Sequence, residues 1–197
     1  ALWEWRRPRR SRAIGRARRW GANLGLVIVD TVTLRLLFPA AAVGAAFDAA
    51  SSGLGLFNII DWPAWLEVAL TIVILDFAIW LQHVIFHHVP ALWRFHMVHH
   101  ADQEMDVTTG LRFHPVEIAL SMVIKIGLVY ALGAPALGVI LFEVVLNAAA
   151  MWSHANLRLP AGPERLIRFL IVTPDMHRSH HSVERREHDT NFGFCFS

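Results

Sequence analysis

Apolar positions along this chain gather into four long segments separated by short polar or turn-rich links. The first runs from about Asn23 to Phe47 and the second from about Pro63 to His87. The third runs from about Val116 to Leu132 and the fourth from about Pro135 to Ser153. A helix needs about 20 residues, at about 1.5 Å each, to cross about 30 Å of hydrocarbon. All four read as membrane-crossing helices, the last two slightly short and accommodated by tilt or local thinning. Pro63 and Pro135 suit a first helical turn, where a missing N–H costs nothing, and Gly133-Ala134 permits a tight helical hairpin. The expected fold is all-α: an integral-membrane four-helix bundle capped by a histidine-rich region. Residues 1–22 read as a basic juxtamembrane segment and residues 23–197 as the membrane domain.

Composition agrees with that pattern. The chain is 55% hydrophobic over 197 residues, with a mean hydropathy of +0.42. Soluble domains sit nearer about 45–50%. The single cysteine, Cys195, excludes an intramolecular disulfide framework and any cysteine-based zinc or iron–sulfur site. Arg6, Arg7, Arg9, Arg10, Arg12, Arg16, Arg18 and Arg19 crowd the N-terminal segment with no acidic residue among them. Such a run serves nucleic acid in some proteins. Beside an apolar span it reads instead as a cytoplasmic anchor on anionic lipid, so no nucleic-acid partner is expected. No secretory signal pattern is present. The chain begins Ala1-Leu2-Trp3-Glu4-Trp5 and ends Phe194-Cys195-Phe196-Ser197, which reads as a piece cut from a longer protein.

Charge then sets the topology. With the arginines inside, the link Asp48–Trp62 lies on the far side, with Trp62 and Trp65 as interfacial anchors. The second helix returns, and the loop His88–Pro115 stays with the arginines. The third and fourth helices go out and back. Lys125 and Glu143 fall equally far from the Ala134 turn, so they sit at one depth inside the membrane. A lone charge there costs about 2.5–3.5 kcal/mol, so the two are expected either to pair or to snorkel separately. Pro163–Val172 sets Glu164, Arg165 and Arg168 against Leu166, Ile167, Phe169 and Leu170. It reads as an amphipathic helix lying in the interface or packed on the cytoplasmic domain.

Nine of the twelve histidines now stand out. They run as His83-x-x-x-His87, His96-x-x-His99-His100, a single His154, and His177-x-x-His180-His181. Spacings of three and four put imidazoles on one helix face, about 5–6 Å apart at Cβ. The topology brings all nine to one side of the membrane, the side that carries the arginines. Neutral imidazole ligates Zn, Fe, Cu and Ni, and nine exceed the four that a tetrahedral zinc needs. Two metals with four or five nitrogens each fit the count. His114, in Arg112-Phe113-His114-Pro115, reads as a support rather than a ligand. His88 and His188 lack clean partners. Ligand type alone does not name the metal, because Irving–Williams affinities favour Zn or Cu over Fe.

The joint pattern resembles the fatty acid hydroxylase/sterol desaturase superfamily. The likeness extends past the histidines to Asp76 before the first pair and Leu92-Trp93-Arg94-Phe95-His96 at the second set. It continues through Thr109-Gly110-Leu111-Arg112-Phe113-His114-Pro115-Val116-Glu117 and His154-Ala155-Asn156. Thr173-Pro174-Asp175-Met176-His177 and Asp189-Thr190-Asn191-Phe192-Gly193 complete it. The resemblance covers roughly Ala1 to Phe194. It implies a centre of two iron ions with O₂ as co-substrate, acting on a C–H bond of a membrane lipid by hydroxylation, desaturation or ether cleavage. The implied ligands are His83, His87, His96, His99, His100, His154, His177, His180 and His181. A tenth histidine found in some relatives has no clear counterpart, so Asn147 or water is a candidate for the remaining position. Asp76, Asn156, Asp175 and Asn191 are expected to orient the imidazoles, with Asp76 alternatively paired to Arg35.

The resemblance also implies partners and place. Electrons are expected from a separate ferredoxin- or cytochrome b5-like donor with its reductase, since Val116-Glu117 follows His114-Pro115 where a fused cytochrome b5 would continue Gly-Gly. The expected location is a bacterial inner membrane, with the metal site facing the cytoplasm. Two other classes compete. A membrane-embedded zinc hydrolase needs about three histidines and a water, leaving six unused. A non-catalytic metal- or haem-binding membrane protein would place ligands at two depths or near the midplane.

Overall fold

Three prolines decide where the long apolar runs break. The computed structural model describes residues 2–197; Ala1, the first residue of the basic segment and of the resemblance, lies outside the described residues. In chain order the helices are α1 (Leu2–Arg6), α2 (Arg16–Leu37), α3 (Ala41–Ser51), α4 (Ala64–His88) and α5 (Pro90–His100). They continue as α6 (Pro115–Leu132), α7 (Ala136–Ser153), α8 (Ala161–Ile167), α9 (Pro174–His180) and α10 (Arg185–His188). Single 3₁₀ turns cover Leu56–Asn58 and Thr109–Leu111. The described residues hold no strand, only one bridge between Pro8 and Leu157.

Two expectations about element boundaries are corrected. The first apolar run is not one helix from Asn23 to Phe47. It starts earlier, at Arg16, and is interrupted at Pro39, where Phe38 takes φ −136°, ψ 70° before α3 begins. Proline has no N–H to continue the ladder and pushes its predecessor out of the helical region. The link after His88 is not wholly a loop. Pro90 forces Val89 extended (φ −97°, ψ 111°) and then opens α5, so His96, His99 and His100 ride on a helix of their own. Pro115 opens α6, and the His114 side chain caps it by accepting from Val116 N at 3.1 Å. The His114 ring thus meets backbone rather than another imidazole's nitrogen.

Four apolar segments are long enough to cross a membrane: Arg16–Asn58, Ala64–His88, Pro115–Leu132 and Ala136–Ser153. α4 packs on α5 and α7, while α2 and α3 run along α6. Ala42, Ala45 and Ala46 of α3 bury against Met122, Val129, Ala134 and Val139. Leu75, Ile79, Phe142, Ala150, Phe194 and Cys195 form a second core nearer the histidines. The α6–α7 hairpin turns at Gly133 (φ 65°), and a Cβ on Gly55 would lie 2.0 Å from Gly133 N. The Asp48–Trp62 link therefore closes the end opposite the histidines, as expected, and Tyr130 Oη donates to Asp48 Oδ2 at 2.7 Å. Trp65 is exposed there, whereas Trp62 packs edge-on against Phe57. Outward faces carry Ile28, Val32, Phe77, Val123, Leu137 and Val144, an apolar belt that suits lipid rather than water.

Several charged groups inside the protein are paired. Lys125 and Glu143 form the hydrogen-bonded ion pair across α6 and α7. At the histidine end two of the N-terminal arginines turn inward. Arg19 is buried against Asp102 (2.7 Å) and Asp106 (2.8 Å), joined by Asn23 and Thr109. Arg12 lies beside Glu4 and Asp106. The basic segment thus supplies an internal brace. α8 and the turn after it leave Leu166, Phe169 and Leu170 uncovered, which disfavours packing on the body of the protein.

Burial pushes the Asp102 carboxyl up, but hydrogen bonds from Arg19, Thr109 and Asn23 outweigh it and hold the group below the usual carboxylate range. Its contribution to stability is present above about pH 4 and is lost as pH falls further. Arg19→Ala should cost about 3–5 kcal/mol by leaving that carboxylate buried and unpaired, read by denaturant unfolding in detergent at pH 7. Exchanging the charges as Lys125→Glu with Glu143→Lys should restore the expression lost in either single variant; no recovery would show that the two charges do not act as a pair.

Candidate metal centre

The nine histidines arrive from four elements at one end of the bundle. The end of α4 supplies His83 and His87, α5 supplies His96, His99 and His100, the C-cap of α7 is His154, and α9 with its C-cap supplies His177, His180 and His181. They sort into two groups. His83, His87, His96, His100 and His180 form a group of five, and His99, His154, His177 and His181 a group of four. Within each group the candidate ligand nitrogens all lie within 4.8 Å of one another. The groups adjoin through His100 and His181, whose rings stack at 4.3 Å, and through His177 and His180 at 4.9 Å.

Hydrogen bonds settle which nitrogen faces inward. Carbonyl oxygens accept from Nδ1 of His83 (Phe192, 2.8 Å), His99 (Arg112, 2.9 Å), His154 (Ala150, 2.6 Å) and His180 (Thr190, 2.8 Å). A carbonyl only accepts, so each Nδ1 carries the proton and each Nε2 is left a bare lone pair. Glu117 Oε1 holds His96 Nδ1 at 2.7 Å, and Asp189 Oδ1 stands 3.5 Å from His87 Nδ1. In the group of five, every Nε2 is buried and has no hydrogen-bond partner among the described residues. In the group of four, His154 Nε2 lies 3.0 Å from His99 Nε2, 3.0 Å from His181 Nε2 and 3.1 Å from His177 Nε2.

That spacing has a direct chemical meaning. His99 and His154 both spend their ring proton on a carbonyl, so their Nε2 atoms face each other as two lone pairs. Lone pairs at 3.0 Å repel unless a cation lies between them. Nitrogens about 2.1 Å from one ion and at right angles to each other sit about 3.0 Å apart. The donor set therefore fits a metal, and the five orphaned Nε2 atoms beside it fit a second. Burial, and then the neighbouring imidazoles, push His96, His100, His177 and His181 well below the ordinary imidazole range; burial alone is the leading cause for His154, taken down to about 3. The rings are neutral at pH 7, the form that ligates.

The residues expected to orient the imidazoles need correction. Asp76 pairs neither with an imidazole nor with Arg35; it accepts from Cys195 N and Phe196 N. It thereby anchors the segment whose Phe192 carbonyl holds His83. Asn156 bonds both ways to the Arg10 backbone. Asp175 pairs with Arg9 and Arg178. Asn191 adopts φ 54° and reaches only Thr190. Asn147 bonds the Glu143 carbonyl and belongs to neither group. The working partners are backbone carbonyls, which no side-chain motif reveals, together with Glu117. Glu117 was visible as the acidic residue in the first turn after His114-Pro115. Phe113 stacks flat on His99 at 4.5 Å, and Trp93 flanks His87 and His100. His188, thought partnerless, stacks on Trp93 and groups with His87 and Asp189.

A model of the fatty acid hydroxylase family matches residues 68–197, which include all nine histidines. The chain belongs to the fatty acid hydroxylase family. Among curated relatives, the ornithine lipid hydroxylase OlsE of Rhizobium tropici is 32% identical over 133 residues, covering 68% of this chain and 39% of that protein. The alkylglycerol monooxygenase of Homo sapiens is 28% identical over 141 residues, covering 70% of this chain and 29% of the relative. The fatty acid hydroxylase vlmA of Lecanicillium sp is 40% identical over 57 residues, 28% of this chain and 16% of the relative. The chain thus spans well under half the length of these relatives. No solved structure matches it. Within this fatty acid hydroxylase fold the nine histidines sit where membrane helices end, not at their midpoint.

Glu117→Gln should weaken metal binding by about 10–100-fold at the group of five while leaving the group of four. Titration of the metal-free protein with Fe(II) or Co(II) should show one site shifted and one retained. Because the buried rings resist protonation relative to an ordinary pKa of 6.5, the unfolded chain binds more protons in acid. Metal-free protein should lose stability as pH falls below about 6.5, read as a falling unfolding midpoint between pH 7 and pH 5.

Proposed function

We propose that this chain carries the catalytic centre of an O₂-dependent lipid hydroxylase with two iron ions. One observation carries the reading: nine histidines whose candidate ligand nitrogens divide five and four, in adjoining groups. A lone zinc of a hydrolase would leave one group without a cation. A haem carrier would need opposed pairs, which this clustering does not offer. His83, His87, His96, His100 and His180 would hold one ion and His99, His154, His177 and His181 the other. Bound iron would supply reductive activation of O₂, so that R–H + O₂ + 2e⁻ + 2H⁺ becomes R–OH + H₂O.

The chain's own residues have three tasks. Carbonyls of Ala150, Arg112, Phe192 and Thr190 and the Glu117 carboxylate hold the Nδ1 protons, so the Nε2 lone pairs stay aimed inward. Phe113, Phe194 and Trp93 screen the rings from water. A cavity of about 240 Å³ runs from His83 between α2, α4, α6 and α7, and its apolar wall of Ile79, Leu111, Met122 and Leu146 suits a lipid chain. The substrate class proposed is a membrane lipid, in keeping with relatives named for ornithine lipid and alkylglycerol. The electron donor is a separate ferredoxin- or cytochrome b5-like protein with its reductase. The remaining N-terminal arginines support a cytoplasmic position for the centre in a bacterial inner membrane.

Purified protein reconstituted with iron should hold about two irons per chain. Cells expressing the protein with a reductant system should gain an O₂-dependent oxygenated lipid that disappears with His99→Ala plus His180→Ala. One zinc per chain, or no oxygen-dependent lipid change in the presence of a competent donor, would overturn the reading.

A further inference from the structure

The cavity beside His83 is not a purely apolar tunnel. Asp30 of α2 lines it, is 7% exposed, and its Oδ1 has no hydrogen-bond partner among the described residues. Gln82 of α4 and Glu117 of α6 line the same cavity, at 7% and 5% exposed. Gln82 gives its amide N–H to Ser121 Oγ at 2.6 Å, which leaves Oε1 orphaned. Glu117 gives Oε1 to His96, which leaves Oε2 orphaned. Three nearly buried side chains from three helices thus present unused acceptors to one space. Lys125, the one lysine on the wall, is already paired with Glu143. The wall therefore holds three carboxyl groups, Asp30, Glu117 and Glu143, against one ammonium.

Unpaired acceptors at membrane depth are costly, because no water reaches them to hydrogen-bond. Retaining three of them around one cavity makes sense when an occupant brings donors. The complement is compact, cationic and rich in N–H: an ammonium group supplies three donors and a positive charge. An alcohol supplies one donor and no charge, and a carboxylate would face like charge. Glu117 adds a positional constraint. It lies one imidazole ring away from the group of five, through His96. A donor bound at Glu117 and Asp30 sets the substrate's polar end close to the metal centre, so that the carbons nearest the nitrogen, rather than a mid-chain methylene, reach His83.

We propose that the cavity selects a lipid bearing a primary amine, with Asp30 as the residue that recognises the ammonium and Gln82 and Glu117 completing its acceptor set. This rests on the lipid hydroxylase reading for its chemistry, but the recognition is measurable without turnover. The stoichiometry remains that of hydroxylation, with O₂ and a two-electron donor as co-reactants, and the new C–O bond forms within a few bonds of the nitrogen.

Calorimetric titration of the purified full chain in a non-ionic detergent, at pH 7, with dodecylammonium, dodecanol and dodecanoate tests the proposal. Dodecylammonium should bind about tenfold or more tighter than either of the others, as expected for a charge-assisted bond made out of water. Asp30→Asn should collapse that preference to about twofold or less, and Gln82→Leu should reduce it partially. Equal binding of the three probes, preference for dodecanol or dodecanoate, or an ammonium preference that survives Asp30→Asn would overturn it. Should Asp30→Asn not fold, the ranking of the three probes on the unaltered chain decides. Loss of the ranking leaves the oxygenase reading standing. Absence of lipid oxidation with an intact ranking removes the oxygenase reading and keeps the amine site.

Discussion

Two imidazole nitrogens facing each other at 3.0 Å, neither able to donate, set the constraint on which the rest of this protein depends. His99 and His154 are held in that repulsive arrangement because each Nδ1 proton is committed to a backbone carbonyl. The same commitment of Nδ1 to a carbonyl at His83 and His180 leaves their Nε2 lone pairs facing the buried space between the rings. Such a space is unstable empty and favourable when a cation enters, so folding around it stores affinity for metal. The scaffold must resist that repulsion, and it does so with α4, α5, α7 and α9 locked end to end against one another.

The locking is electrostatic at the rim and apolar below. Arg19 joins the start of α2 to the segment after α5 through Asp102 and Asp106. That segment continues through Thr109, Gly110 and Arg112, whose carbonyl holds His99. Gly110 packs so closely on α7 that a Cβ there would lie 2.5 Å from the Ala150 carbonyl, and that carbonyl holds His154. Asp76, halfway along α4, plays the same part for the C-terminal segment, since its grip on Cys195 and Phe196 fixes the strand of chain that presents Phe192 to His83. A buried brace and one tight backbone contact thus align His99 and His154, which face each other. The inward charges in the bundle, Lys125 with Glu143, close the other potential weak point.

Four apolar helices, the hairpin at Gly133 and the convergence of nine histidines at one end were all legible from hydropathy and spacing. These are local or periodic signals, and a three- or four-residue repeat of imidazoles on a helix has few other uses. The break at Pro39 and the helix opened by Pro90 were legible in principle, since proline acts on its neighbours by sterics alone; the apolar run around Pro39 and the polar stretch after Pro90 outweighed it. The supporting residues were not legible. Asp76, Asn156, Asp175 and Asn191 carry the right functional groups, but they meet backbone, arginine or, for Asn191, the Thr190 hydroxyl rather than imidazole. The true partners of four of the imidazoles are carbonyls, and every residue has one, so composition holds no trace of which carbonyl will be chosen.

Sequence by itself determined the class of the molecule: a membrane-embedded helical bundle with enough imidazole for two metals, and the family likeness that goes with it. Periodicity and hydropathy depend on side-chain identity along one chain, and these carry over unchanged into the fold. Tertiary structure alone decided the division of the histidines into five and four, the tautomer of the four rings held by carbonyls, and the three unused acceptors beside His83. Each of those depends on distances between helices far apart in sequence. His100 leaves its neighbour His99 for the other group, and Glu117 divides its two oxygens between His96 and a cavity, choices made only when α5 and α6 are packed together.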